Sequence, residues 1–168
     1  MGRAEQKVIP GRYQVYPRTL CFITSGTDIL LIRGAPDKKI WPNLYNGVGG
    51  HLECDEDVCS AARREITEET GLTVRDLHLC GIINIPVPVD DSGVMLFVFT
   101  ARAVDRSHRA SSEGSLEWVD LNRVGQLPVV EDLPMLLPRA LAHRDGAPPF
   151  FARYWYDEQD RLRAVFSA

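Results

Sequence analysis

Hydrophobic and polar positions along the chain change period twice, and the changes mark out the elements. "RTLCFITS" and "ILLIR" are short apolar, β-prone runs joined by "GTD", which predicts a hairpin over 18–33. A loop of turn formers, "GAPDKKIWPN", leads into "LYNGVGGHLE", a short strand broken by glycines. Residues 55–70 then shift to helical spacing, with an aspartate as candidate N-cap, no Gly or Pro inside, and Gly71 as the stop; one helix of about four turns is expected. "LTVRDLHLCGIINIPVPV" and "GVMLFVFTARAV" return to strand spacing around the turn "DDSG", and after the polar loop "DRSHRASSEGS" comes a short strand, "LEWVDL". "EDLPMLLPRALAH" reads as a second helix that Pro138 kinks or delays, and "FARYWYDEQDRLRAVF" as a closing hairpin. The fold class is therefore α+β, a mostly β body with one strong helix and one weaker one. Residues 1–17 are expected as a loosely ordered lead-in and 18–168 as a single domain.

Composition narrows the function classes. With 168 residues, a net charge of -4 and a pI near 5.6, the chain gives no electrostatic reason to bind a nucleic-acid polymer or an acidic membrane surface. A small anionic ligand stays open, because a bound cation reverses the local field. Cys21, Cys54, Cys59 and Cys80 are irregularly spaced with no CxxC pair, so a disulfide framework is not expected and a cytoplasmic setting is. His51, Cys54, Cys59 and His78 fit no standard zinc spacing.

"RREITEET" gathers Glu65, Glu68 and Glu69. On a wheel at about 100° per residue with Val58 at zero, the apolar side holds Ala62, Ala61 and Ile66, and Ser60 and Thr67 lie opposite. Glu69 falls about 20° from Val58 and Glu65 about 20° on its other side, so these two continue the apolar stripe, with Glu68 about 80° away. Carboxylates turned toward the body repel each other and lose hydration unless a cation or strong donors neutralise them. Two readings follow: an all-oxygen site for a hard divalent cation such as Mg²⁺, or a buried network with an arginine partner, Arg64 foremost.

The wider stretch reads "GHLECDEDVCSAARREITEETGL": Gly50, five residues, Glu56, seven residues, Arg64-Glu65-Ile66, one residue, Glu68-Glu69, one residue, Gly71-Leu72. It resembles the Nudix box, G-x5-E-x7-R-E-U-x-E-E-x-G-U with U aliphatic, at all nine specified positions over 23 residues. The resemblance implies the Nudix fold, a mixed β-sheet sandwiched between helices. It also implies an enzyme that hydrolyses a nucleoside diphosphate linked to some group X with Mg²⁺, Mn²⁺ being a possible substitute. By the same resemblance Glu65, Glu68, Glu69 and the main-chain carbonyl of Gly49 hold metal, Glu65 or Glu68 positions or deprotonates the attacking water, and Glu56 and Arg64 brace the group.

Likeness to MutT-type 8-oxo-dGTP diphosphatases extends over "LYNGVGGHLE", "EGSLEWVDL", "VVEDLPML" and "FFARYWYDEQDRLRAVF". It implies that Asn46 hydrogen-bonds a purine, that Glu131 and Asp132 read its Watson–Crick edge, and that Glu113, with Glu117 as fallback, is a late metal ligand. Asn46-Gly47 is equally a turn pair, Asp132 a candidate N-cap, and Trp118 a core residue. The chain departs from that family in having Glu131-Asp132 for two aspartates, and Val129 where a tryptophan stacks on the base. The function so implied is pyrophosphohydrolysis of nucleoside triphosphates, oxidised purines above all, to a monophosphate and pyrophosphate. The alternatives are an enzyme of ADP-ribose or another nucleoside diphosphate derivative, and a nucleotide sensor that does not hydrolyse. The expected partner is a small nucleotide and neither a membrane nor a nucleic-acid polymer, with monomer and homodimer both open.

Overall fold

A computed structural model of the chain describes residues 9, 11–87, 91–111, 113–144 and 146–167. Its elements are β1 (Gln14–Ser25), β2 (Asp28–Gly34), β3 (Tyr45–Asn46), α1 (Val58–Thr70), β4 (Val74–Val87), β5 (Ser92–Ala103) and β6 (Gly114–Asp120). A 3₁₀ helix (Leu121–Gln126), α2 (Leu133–Leu141), β7 (Phe150–Tyr156) and β8 (Leu162–Ser167) complete them. Among the described residues the strands form one eight-stranded sheet in the order β3-β2-β1-β5-β4-β7-β8, with β6 on the other edge of β2. The β1–β5 and β4–β7 pairs are parallel and the others antiparallel, so the sheet is mixed.

Strand alternation sends side chains to two separate cores. On β1, Leu20 and Phe22 join Leu133, Leu136, Leu137 and Ala140 of α2, and Cys21 and Ile23 join Ala62 and Ile66 of α1. On β2, Ile29 and Leu31 face the α2 side and Leu30 the α1 side. The sheet is thus sandwiched between the two helices, as the Nudix resemblance implies. Trp118 packs at the margin of the α1-side core, with the Arg106 guanidinium 4.8 Å above its ring and its indole N–H donating to the Arg106 carbonyl at 3.2 Å.

Three boundaries differ from the sequence reading. The first strand begins at Gln14, inside the stretch expected as a lead-in, because Gln14–Arg18 pairs with Ser92–Leu96 in parallel register; such a distant partner leaves no local signal. The first helix begins at Val58, three residues later than expected. Its cap is Asp57, whose side chain accepts from the N–H groups of Cys59 at 2.8 Å and Ser60 at 3.1 Å. Pro138 does not delay α2, which runs through it from Leu133 with Pro134 in its first turn. The expected turn "DDSG" falls partly outside the described residues. Within them, no helix is long and apolar enough to cross a membrane.

Candidate active site

The site begins where β1 and β2 diverge. They pair only near their hairpin, and the segment after β3 fills the gap against β1. Thr19 donates to the Gly50 carbonyl at 2.9 Å, and Cys21 and Val48 exchange N–H···O bonds of 2.6 and 3.2 Å. A Cβ at Gly49 would overlap the Thr19 carbonyl, and one at Gly50 the Glu65 carboxylate. Both glycines are therefore required by close approach, and α1 lies directly against this bare stretch of backbone.

α1 is fixed at both ends. Asp57 caps the start, and Gly71, at φ 73°, caps the end by donating to the Thr67 carbonyl at 2.9 Å. The helix has no basic residue in its last turn. Arg109, from the loop after β5, supplies one: its Nη2 donates to the Thr67 and Glu68 carbonyls at 3.0 and 2.6 Å, and its N–H to Thr70 at 2.8 Å.

The wheel's forecast for the glutamates holds. Glu69 is buried, Glu65 is half-buried, and the Glu68 side chain is 59% exposed. Arg64 ties the group together, donating to Glu56 through Nη2 at 2.6 Å and Nε at 3.1 Å, to Glu65 at 2.9 Å, to Glu68 at 3.1 Å and to the His51 carbonyl at 2.9 Å. These bonds hold the Glu56 carboxyl below its usual range and keep Arg64 firmly protonated. Glu69 instead accepts the Gly49 N–H at 3.2 Å, and burial, reinforced by the charges of Glu113 and Glu65, pushes its carboxyl up to about 7. The Cys21 thiol lies behind this cluster and is pushed up by burial and then by Glu69 and Glu65, which leaves it chemically inert.

Both readings of the glutamates are thus present at once, an arginine network and a set of crowded carboxylates. Among the described residues no three His, Cys, Asp or Glu side chains form a ready-made metal cage. The donor chemistry nonetheless fits a hard divalent cation: Glu65, Glu68 and Glu69 beside the Gly49 backbone offer only oxygen, and Glu69 is desolvated in the field of two further carboxylates. Glu113 stands at the edge of this group, ion-paired with Lys38 and close enough to raise Glu69. Glu117 is committed elsewhere, accepting the Tyr45 hydroxyl at 2.9 Å.

The second half of the site forms where the 128–130 segment joins β3. Tyr45 donates to the Pro128 carbonyl at 2.9 Å and Val130 to the Tyr45 carbonyl at 3.0 Å, which sets Asn46 near the head of α2. The Asn46 Oδ1 accepts the Gly47 N–H at 2.8 Å, consistent with its turn role. Asp132 occupies the N-cap position but makes no capping bond, because its backbone is already helical at φ -85° and ψ -18°. Burial raises its carboxyl above the ordinary range, its own N–H opposing and Glu131 adding to the effect. Glu131 is tied to the closing hairpin, accepting the Leu162 N–H at 3.1 Å and the Tyr156 hydroxyl at 3.4 Å. Arg109, Lys38 and Tyr156 were not legible in the sequence. Each acts across a long sequence separation, with no periodicity or spacing to mark it.

The NUDIX domain model matches residues 16–140. An oxidised purine nucleoside triphosphate hydrolase from Danio rerio is 29% identical over 106 residues, covering 63% of this chain and 67% of that protein. The NAD-capped RNA hydrolase NudC of Pseudomonas aeruginosa is 28% identical over 135 residues, or 78% of this chain, which spans about half, 46%, of NudC's length. The crystal structure of the mutator MutT protein from Bacillus halodurans superposes with a TM-score of 0.74 at 23% identity, over 91% of this chain and 98% of that one; at that identity it speaks for the fold. Nudix hydrolases generally use a divalent metal. With the family model covering most of its length and the glutamate group assembled on α1, the chain belongs to the NUDIX family, as a hydrolase of phosphoanhydride bonds.

Proposed function

We propose that this chain is a Mg²⁺-dependent pyrophosphohydrolase of purine nucleoside triphosphates, oxidised purines of the 8-oxo-dGTP type in particular, releasing the monophosphate and pyrophosphate. The observation that carries the substrate assignment is Asp132, a desolvated carboxyl at the head of α2 that does not cap its own helix and stands near Asn46. A carboxylate accepting from ring N–H and exocyclic amino groups, next to an amide that both donates and accepts, suits the edge of a guanine-type base. The Danio rerio relative, named for oxidised purine triphosphates, supports the same class.

Glu65, Glu68, Glu69, the Gly49 carbonyl and Glu113 are the residues that would hold Mg²⁺. Bound there, the cation supplies charge neutralisation for the triphosphate and a lowered pKa for water. The protein's own contribution is positional. Arg64 fixes Glu65 and Glu68, one of which would position or deprotonate the attacking water, and Glu56 holds Arg64. The glycines let the backbone of this stretch pack directly against the Thr19 carbonyl and the Glu65 carboxylate.

The test is to incubate the purified chain with Mg²⁺ and dGTP, 8-oxo-dGTP, 2-hydroxy-dATP and ADP-ribose, and to rank kcat/KM from released pyrophosphate or monophosphate. The expected result is preference for an oxidised purine triphosphate. Preference for ADP-ribose would replace this substrate with a nucleoside diphosphate derivative. Binding of a nucleotide without turnover would recast the chain as a sensor.

A further inference from the structure

Where α2 ends, the face of the sheet that it covers changes character. Along β1, β5 and β4, the core residues Phe22, Val98 and Cys80 give way on the same face to Thr24, Arg102 and His78. An open cavity of about 590 Å³ lies there, reaching Leu141, the last residue of α2. Arg75, Arg102, Thr24 and Ser25 line it beside Leu121 and Leu141, and among the described residues no carboxylate does. A smaller cavity of about 130 Å³ adjoins it through Thr24, Arg102 and Leu141, with Asp76 in its wall. The chain as a whole carries a net charge of -4, so two arginines on one cavity run against its balance.

The pairing of β4 with β5 brings these cations together. His78 stands opposite Thr100, and regular antiparallel pairing from there would set Asp76 opposite Arg102, a matched charge pair. One extra residue sits between Arg75 and His78 instead, so that Arg75 stands opposite Arg102. Two costs follow. Like charges face each other across the strands, and Asp76 takes a left-handed backbone at φ 53°, its carboxylate only loosely placed 3.9 Å from the Arg102 Nε. The sheet gains nothing from this exchange, whereas a multiply charged anion gains two guanidinium forks at once.

We propose that the cavity between Arg75 and Arg102 is a second ligand site, which binds a small phosphate-bearing molecule through both guanidinium groups. Ser25 adds a hydroxyl donor, while the Thr24 hydroxyl is engaged by the Ala101 carbonyl at 3.3 Å. The site is distinct from the one described above. The glutamates of that site lie on α1, across the sheet, and Asp132 heads α2 about 13 Å along the helix from Leu141. The same chemistry would serve free inorganic pyrophosphate or the phosphate of a nucleotide, whose nucleoside would lie against Leu121 and Leu141.

The test is calorimetric titration of the purified chain with inorganic pyrophosphate and, separately, with dGMP, in EDTA so that no cation draws phosphate to the glutamates. The expected result is one bound molecule per chain. Arg75→Gln and Arg102→Gln are each expected to weaken it about tenfold or more, and Arg63→Gln, at an exposed position of α1, to leave it unchanged. Without ligand both cavity variants should melt no lower than wild type, since a like-charge pair is relieved. Tighter binding of dGMP would identify a nucleotide as the occupant and tighter binding of pyrophosphate the free anion, and either upholds the site. No binding, or binding that neither cavity variant weakens, would overturn it. Loss of binding in variants that also melt lower without ligand would assign the arginines to the fold and overturn it equally.

Discussion

The two halves of the site are built on opposite principles. On the α1 side every carboxylate has a partner within the protein: Arg64 serves Glu56, Glu65 and Glu68, and Gly49 serves Glu69. On the α2 side Asp132 makes no capping bond and the buried Tyr154 hydroxyl has no hydrogen-bond partner. The first half is finished before any ligand arrives and can be common to many substrates. The second leaves polar groups without partners in the protein, and on the proposed function discrimination between substrates would be set there.

The sharpest way to break this contrast is to disable the finished half. Glu68→Gln and Glu69→Gln are each expected to lower kcat about a thousandfold or more with the fold retained, because metal-assisted charge stabilisation contributes several kcal/mol. Steady-state kinetics beside circular dichroism decides it, and near wild-type turnover in both variants would remove the metal assignment. Next comes Arg64→Lys, which keeps the charge and loses the planar fork that serves three carboxylates and a carbonyl. A drop of about thirtyfold in kcat and about 2 kcal/mol in stability is expected, read from kinetics and urea unfolding.

The open half should respond differently. Asn46→Ala is expected to raise KM for purine triphosphates about tenfold while sparing kcat and the hydrolysis of tripolyphosphate. A fall in kcat of equal size would place Asn46 in the catalytic half. The smallest effect is one of stability. Burial raises the folded carboxyl of Asp132, so its ionised form is the costly one. Its contribution favours the fold fully below the unfolded pKa and is lost as pH rises through the raised folded value. Asp132→Asn escapes that loss and is expected to melt above wild type at about pH 7, with the gap closing toward about pH 3. A lower Tm at neutral pH would show that Asp132 stabilises the fold after all.

The same contrast governs what the sequence could disclose. The finished half lies within one continuous stretch, with Gly50, Glu56, Arg64, Glu65, Glu68 and Glu69 inside 23 residues, so spacing and helical periodicity expose both its members and its burial. The open half draws on β3, the head of α2 and β7, which meet only through the sheet order. Asn46 and Asp132 were visible by family likeness, and even there the helix geometry had to show that Asp132 is not a cap. Tyr154 carried no signal, since alternation along β7 marks it as buried and says nothing of whether its oxygen is matched. The strand hairpins and both helices were legible from pattern alone. The early start of β1 was not, because a parallel partner some eighty residues away sets it.

Arg109 gives α1 something its own sequence omits, a cation at its carboxyl end, and it does so from 42 residues beyond Thr67. The loop over 105–111 therefore works as a latch on the helix that carries Glu68 and Glu69. Swinging that loop aside would unmask three carbonyls at once, so the last turn of α1 gains or loses all of these partners together.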